Sequence, residues 1–111
     1  MNTIVVKDKT IEVDDEGYLV NIDDWNSDVA EFYAEREGIR MSDQHWEIVH
    51  FLRDYYLRYQ IAPMIKILAR EVGQRLGPGK GSAKHLYELY PNGPARQACK
   101  IAGLPGPAGC V

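Results

Sequence analysis

Cysteine is scarce in this sequence, since its 111 residues contain only Cys99 and Cys110. Two thiols are too few for a four-cysteine iron–sulfur cluster. The ten residues between them also exclude the close CxxC spacing of zinc sites and of thioredoxin-like reductases. We therefore expect no metal and no cofactor bound to this chain.

Long apolar runs are also absent. No segment approaches the ~18 residues of a transmembrane helix. The opening MNTIVVKDKT lacks the apolar region and cleavage site of a secretory signal. We predict a cytoplasmic protein without membrane insertion. In that compartment a permanent disulfide is uncommon, so a cysteine pair is more often redox-active.

The composition is nevertheless that of a folded protein, with 45% hydrophobic residues, seven tyrosines and two tryptophans. The length suits one domain with a single core. We predict a globular domain over residues 1–103. The remaining residues, 104–111, are rich in glycine and proline, and we predict that they form a mobile C-terminal arm carrying Cys110.

Local patterns predict an α+β fold. Apolar residues alternate on both sides of Lys7-Asp8-Lys9, which predicts a hairpin, and Tyr18–Val20 is a candidate third strand, giving a small antiparallel β-meander. About five helices follow. Their predicted boundary residues are Asp24 or Asn26 to Glu37, Ser42 to Tyr59, Pro63 to Leu76, Ser82 to Leu89, and Ala95 to Ala102. The second helix has a predicted apolar stripe of Trp46, Val49, Leu52, Tyr56 and Tyr59, flanked by Ile48 and Tyr55.

Charge is divided unevenly along the chain. Residues 1–60 carry 6 basic and 14 acidic residues, and residues 61–111 carry 7 basic and 2 acidic residues. The bland interpretation is ordinary variation on a solvated surface. The alternative is a basic surface, including Lys84, Arg96 and Lys100, that attracts an anionic substrate or an acidic partner.

Three other patterns suggest sites but fit poorly. Helices flanking Ile61–Pro63 resemble a helix-turn-helix, in which Lys66 and Arg70 would have to reach base edges, although plain helix packing also explains them. The loop Gly77–Ser82 resembles a phosphate loop but follows a predicted helix instead of a strand. The histidines do not share one helix face, because His45 and His50 lie about 140° apart. These histidines and His85 are expected to be ordinary surface or half-buried residues.

The cysteine pair suggests thiol chemistry. An exposed Cys110 on the arm would accept or attack sulfur, and Cys99 on its helix would resolve the adduct by thiol–disulfide exchange. Arg96 and Lys100 would favour thiolate, whereas the helix C-terminus opposes it at Cys99. A structural disulfide and two idle thiols remain as alternatives. Fully extended, the chain between the cysteines spans roughly 35 Å.

Several motifs along the whole chain resemble the family of the gamma subunit of dissimilatory sulfite reductase, the DsrC/TusE group. They are Asp15–Leu19, Asp24-Trp25, His45–Tyr56 with Tyr59 and Ala62-Pro63, Tyr90–Ala95, Gln97–Cys99, Ala102–Pro105 and Gly109–Val111. The resemblance implies an N-terminal β-meander packed on a helix array. It also implies that Cys110 carries sulfur as a persulfide and joins Cys99 in a trisulfide or disulfide.

Because it contains both cysteines, the sequence resembles the form of this family that works with sulfite reductase in sulfur energy metabolism. The implied function is a sulfur-carrying co-substrate rather than a self-sufficient enzyme. The implied partners are the sirohaem sulfite reductase catalytic subunits, which would hold the sirohaem and iron–sulfur clusters, a membrane-linked trisulfide or disulfide reductase, and sulfur-transfer proteins. Two alternatives remain, namely a sulfur relay protein for tRNA 2-thiouridine synthesis and a nucleic-acid-binding regulator.

Overall fold

A β-hairpin begins the fold. The computed structural model describes residues 2–63, 65–77, 79 and 81–104. Strands β1 (Asn2–Val6) and β2 (Lys9–Val13) pair antiparallel, with Ile4 opposite Ile11. Lys7 and Asp8 both have positive φ, as a two-residue hairpin turn requires. The predicted hairpin is confirmed.

The predicted third strand is reduced to one bridge. Leu19 pairs with Val13, but Val20 is 55% exposed and the chain then enters a 3₁₀ turn at Ile22–Asp24. The turn begins at Asn21, whose side chain accepts from the Asp23 N–H at 3.0 Å. This local hydrogen bond draws the chain out of the sheet, so the sheet described here has two strands.

Five helices complete the predicted α+β architecture: α1 (Ser27–Arg36), α2 (Asp43–Tyr59), α3 (Ile65–Leu76), α4 (Ala83–Leu89) and α5 (Pro94–Ile101). The side chains of Asn26, Ser42 and Ser82 cap α1, α2 and α4, as predicted. Pro94 occupies the first turn of α5, where the missing N–H costs no intrahelical bond.

The buried face of α2 differs from the predicted stripe. Its buried residues are His45, Ile48, Val49, Phe51, Leu52 and Tyr55. Tyr59 is 51% exposed, and Trp46 and Tyr56 are only partly buried. The prediction was wrong for the aromatic side chains on the outer flank of α2, because tyrosine and tryptophan tolerate partial exposure more readily than aliphatic residues do.

Helix α5 lies at the centre of the core, packed against α1, α2, α3 and α4. Six of its eight residues are buried, and Cys99 is one of them. Its C-terminal continuation through Leu104 is buried as well. Leu104, predicted as the first residue of the arm, is thus part of the packed domain, and the rest of the predicted arm, 105–111, lies outside the described residues.

The glycine-rich loop before α4 follows helix α3, so it lacks the strand that a phosphate loop requires. Gly81 is explained by packing. A Cβ on Gly81 would overlap the backbone of Gly73 in α3 and would lie 2.6 Å from the Ala69 carbonyl oxygen. Glycine at 81 therefore permits close contact between two backbone segments.

A candidate functional site around a buried thiol

The Cys99 side chain is completely buried in α5. Burial raises the pKa of its thiol from 9.0 to about 12, because the anion would lose its hydration. This corrects the expectation that Arg96 and Lys100 favour a Cys99 thiolate. Arg96 is exposed and Lys100 half-exposed, so their charges remain largely solvated while the thiol does not. At neutral pH Cys99 is a protonated thiol.

Tyr18 lies next to this part of α5. Its ring centroid is 4.9 Å from Lys100 Nζ, and the Arg96 side chain lies near its hydroxyl. Burial raises the pKa of Tyr18, and the nearby Cys99 raises it further. Residues 96, 99 and 100 share one helical face, so α5 brings two predicted basic residues and the thiol together around Tyr18.

The surface beside Tyr18 is not uniformly basic. Glu16 lies close enough to raise the pKa of Tyr18, and a Cβ on Gly17 would lie 3.7 Å from Lys100 Nζ. The acidic turn of the N-terminal half therefore meets the basic residues of α5. Lys84 is exposed on α4. The predicted basic surface is consequently a zone of mixed charge around Arg96 and Lys100.

The C-terminal end of α5 is bound by two side chains from distant parts of the sequence. Trp25 Nε1 donates to the Ile101 carbonyl at 2.8 Å, and Arg53 donates to the Ala102 carbonyl at 2.8 Å and to the Ile22 carbonyl at 3.3 Å. The Arg53 guanidinium also lies 4.2 Å from the Trp25 ring centroid. We call Trp25 and Arg53, with the two α5-end carbonyls that they bind, the α5 clamp.

Sequence reasoning found neither role in this clamp. Trp25 was noticed only within a family motif. Arg53 likewise appears only within the motif His45–Tyr56. Burial lowers the pKa of the Arg53 guanidinium, which still remains protonated in proteins. The missed signal was a tryptophan just before the Asn26 cap, since a buried indole N–H requires an acceptor.

Buried polar contacts also anchor the start of α5. Gln97 is 1% exposed, donates to Glu37 Oε1 at 3.0 Å, and accepts from the Asn92 N–H at 3.0 Å. The Tyr90 hydroxyl donates to the His45 carbonyl at 2.9 Å. These contacts fix the helix that carries Cys99. Local patterns did not reveal the contacts to Glu37 and His45, because they join residues 60 and 45 positions apart.

The histidines show no metal site. His45 Nδ1 accepts from the Ser42 N–H at 3.1 Å, so Nε2 carries the proton that it donates to the Leu89 carbonyl at 2.8 Å. His50 is exposed and stacks on Trp46. Within the described ranges, no group of three or more His, Cys, Asp or Glu side chains could hold a metal ion, and no helix could cross a membrane.

The other predicted thiol, Cys110, lies outside the described residues. Its distance from the domain is nevertheless limited by the covalent chain. Leu104 is buried and its N–H donates to the Cys99 carbonyl at 3.0 Å, so residues 100–104 do not extend outward. Six residues then lead from Leu104 to Cys110, which span at most about 20 Å. The 35 Å span estimated from the sequence is therefore too long.

The family model for DsrC-like proteins matches residues 5–111. The chain belongs to the DsrC-like protein family. Sulfurtransferase TusE of Escherichia coli is 44% identical to this DsrC-like protein over 108 residues, which are 97% of this chain and 99% of the relative. The predicted family membership is confirmed.

Solved DsrC structures share this fold. The NMR structure of Allochromatium vinosum DsrC is 50% identical and has a TM-score of 0.90, over 99% of this chain and 98% of that chain. The oxidized gamma subunit of dissimilatory sulfite reductase from Archaeoglobus fulgidus is 36% identical and has a TM-score of 0.84, over 99% of this chain and all of that chain. Both of these neighbours are DsrC proteins, and the TusE relative is named a sulfurtransferase.

Proposed function

We propose that this chain is a sulfur relay protein that carries a persulfide on Cys110. The burial of Cys99 carries the proposal. Because that thiol is 0% exposed and has a raised pKa, it cannot readily attack an external donor. Cys110 is the other cysteine in the sequence, so the first nucleophilic step is assigned to it.

The transfer step requires no external oxidant. The Cys110 thiolate attacks the outer sulfur of a donor persulfide, the donor's S–S bond breaks, and the donor leaves as a thiolate. Cys110 then carries one additional sulfur. Attack of an acceptor thiolate on that outer sulfur reverses the sequence and returns Cys110 as a thiolate. Arg96 and Lys100 would help to dock anionic groups at the domain surface beside the arm.

The names of the curated relatives favour a relay function. TusE proteins of Escherichia coli and Shigella flexneri, both 44% identical, are named sulfurtransferases. We therefore place transfer of sulfur between protein thiols, toward tRNA 2-thiouridine synthesis, ahead of the expected sulfite reductase function. Its partners would be sulfur-transfer proteins on both sides of this chain.

A second candidate is the co-substrate of sirohaem sulfite reductase, and the presence of Cys99 favours it. In this function, Cys99 and Cys110 would form a sulfur bridge that a membrane-linked reductase later opens. The 50% identity to Allochromatium vinosum DsrC supports the candidate. A disulfide bridge forms from a Cys110 persulfide when the Cys99 thiolate attacks Cys110 Sγ and hydrosulfide leaves.

Persulfide loading provides the test. The wild type, Cys110→Ala and Cys99→Ala are incubated with glutathione persulfide, and intact mass reports one added sulfur that a reductant removes. We expect the wild type and Cys99→Ala to load and Cys110→Ala not to load. Loading of Cys110→Ala to the wild-type level would contradict the proposal.

A second assay separates the two candidates. Loaded wild type and Cys99→Ala are mixed with a thiol acceptor protein of the relay. Separately, both proteins with reduced, unloaded thiols are mixed with sirohaem sulfite reductase, sulfite and an electron donor, because converting sulfite and two thiols to a trisulfide consumes two external electrons. Equal transfer to the acceptor by both proteins supports the relay function. Sulfite-dependent formation of a Cys99–Cys110 bridge by the wild type, and its loss in Cys99→Ala, would instead support the co-substrate function.

A further inference from the structure

Hydrogen bonds hold the C-terminal end of helix α5, and one of them involves the backbone of Cys99. A helix normally leaves its last carbonyls without intrahelical partners. Here Trp25 and Arg53 bind the carbonyls of Ile101 and Ala102, both at 2.8 Å. The Leu104 N–H binds the carbonyl of Cys99 itself at 3.0 Å. Fraying this end would therefore release a hydrogen bond of the thiol-bearing residue.

Gly103 brings the chain directly against the clamp. Its φ of +72° allows the helix to turn, and a Cβ at this position would lie 2.5 Å from Trp25 Cδ1. The Trp25 indole thus packs on the backbone of Gly103. Leu104, the next residue, is completely buried. The last four described residues consequently have fixed positions before the chain continues to Cys110.

We propose that Trp25 and Arg53 are positioning residues for the thiol chemistry of this protein. By holding residues 101–104, they keep Cys99 buried and fix the point from which the chain to Cys110 departs. The part concerning Cys110 rests on the proposed function. The part concerning Cys99 stands on the geometry of α5 alone.

The clamp has two measurable consequences. With it intact, Cys99 reacts only after local opening, so losing one buried hydrogen bond to a charged group should increase reactivity about tenfold. Its loss also has two opposed effects on a bridge between the cysteines. The segment that must close lengthens from the six residues after Leu104 to the eleven after Cys99, which makes bridge formation about two- to threefold less favourable. The easier opening of α5 favours the bridge about tenfold, so the net closure constant rises about fourfold.

The first measurement is alkylation of Cys99 by iodoacetamide in a Cys110→Ala background. Trp25→Phe and Arg53→Gln are compared with Trp46→Phe and Arg36→Gln. Trp46 is partly buried and stacks on His50, and Arg36 lies 4.6 Å from the Phe32 ring centroid, so the controls remove similar ring or charge contacts away from the end of α5. We expect about tenfold faster alkylation in Arg53→Gln, about fivefold faster alkylation in Trp25→Phe, whose lost indole hydrogen bond is neutral, and wild-type rates in both controls.

The second measurement uses both cysteines in a glutathione redox buffer. Closure transfers two electrons and two protons from the thiols to glutathione disulfide, giving one protein disulfide and two glutathione molecules. We expect the closure constant of Arg53→Gln to rise about fourfold, and loading of Cys110 by glutathione persulfide to remain unchanged.

Equal alkylation rates in the clamp variants and controls would overturn the proposal. If Trp25→Phe does not fold, as judged by far-ultraviolet circular dichroism, the comparison of Arg53→Gln with Arg36→Gln decides the result. Arg53→Lys serves as a conservative variant, because one ammonium lacks the planar fork that binds two carbonyls. Failure of the wild type to load Cys110 would overturn the proposed function but would leave the alkylation result for Cys99 intact.

Discussion

Helices α1 and α5 end with the same local motif but in different surroundings. Helix α1 turns at Gly38, whose φ is +71°, and the Ile39 N–H then binds the Ala34 carbonyl at 2.8 Å. A Cβ on Gly38 would meet nothing within 4 Å. This helix end is closed by its own backbone and faces open space.

Helix α5 repeats this geometry at Gly103, where φ is +72° and the Leu104 N–H binds the Cys99 carbonyl five residues earlier. Here Trp25 covers the glycine and, with Arg53, binds the remaining carbonyls. The same local motif therefore ends a peripheral helix and a central one. At the end of α1 the distant contact is made by the Glu37 side chain, which accepts from Gln97, whereas at the end of α5 distant side chains bind the helix carbonyls themselves. Helix α5 is also the helix that carries the buried thiol.

Alanine substitution at the two glycines should give the largest contrast. Gly38→Ala places a side chain in a left-handed conformation, which costs about 1–2 kcal/mol of unfolding free energy. Gly103→Ala incurs the same cost and also overlaps Trp25, which adds about 1–3 kcal/mol. Urea unfolding of both variants measures the difference. Equal losses would show that the contact between Trp25 and Gly103 contributes nothing.

Alkaline titration should also separate the two helices. The raised pKa of Cys99, about 12, means that the unfolded chain loses this proton first as the pH rises above about 9. The contribution of Cys99 to the free energy of unfolding is therefore fully present below pH 9. It falls by roughly 1.4 kcal/mol per pH unit up to about pH 12. In α1, burial raises the pKa of Tyr33 from 10.0 to about 12, so its contribution begins to fall only above pH 10.

Urea unfolding between pH 8 and 11, with Cys110→Ala as the common background, tests this assignment. We expect Cys99→Ala to remove the decrease in unfolding free energy that begins near pH 9. We expect Tyr33→Phe to leave this decrease unchanged between pH 9 and 10. An unchanged slope in Cys99→Ala between pH 9 and 10 would be inconsistent with a buried neutral thiol.

Two tyrosines near the Asp14–Tyr18 turn should give the smallest contrast. The Tyr33 hydroxyl, on α1, donates to the Gly17 carbonyl at 2.6 Å. The Tyr18 ring instead lies 4.9 Å from Lys100 Nζ on α5, a contact that does not involve its hydroxyl. We expect Tyr33→Phe to cost about 1 kcal/mol and Tyr18→Phe less than about 0.5 kcal/mol in urea unfolding. A larger loss in Tyr18→Phe would assign the Tyr18 hydroxyl a structural role.

The predictable parts of this fold are those encoded by neighbouring residues. The hairpin turn at Lys7-Asp8, the caps at Asn26, Ser42 and Ser82, and the end of α5 at Gly103 all depend on chemistry within a few positions. The assignment of Cys99 to a helix followed from the same signals.

The parts that sequence analysis missed depend on distant contacts. Trp25 and Ile101 are 76 positions apart, and Arg53 and Ala102 are 49 apart, so no periodicity or cap relates them. Burial of Cys99 was missed for the same reason, because it results from α5 packing among four other helices. Neighbouring basic residues suggested a thiolate, but desolvation outweighs their solvated charges.

The contact between Gly81 and helix α3 has a consequence for how this sequence can diverge. A Cβ on Gly81 would meet the backbone of Gly73 and the Ala69 carbonyl, and none of these atoms belongs to a side chain. An overlap with a side chain can be relieved by a second, smaller substitution elsewhere, but an overlap with backbone atoms cannot. A larger residue at position 81 therefore cannot be accommodated by a compensatory mutation unless α3 itself is displaced.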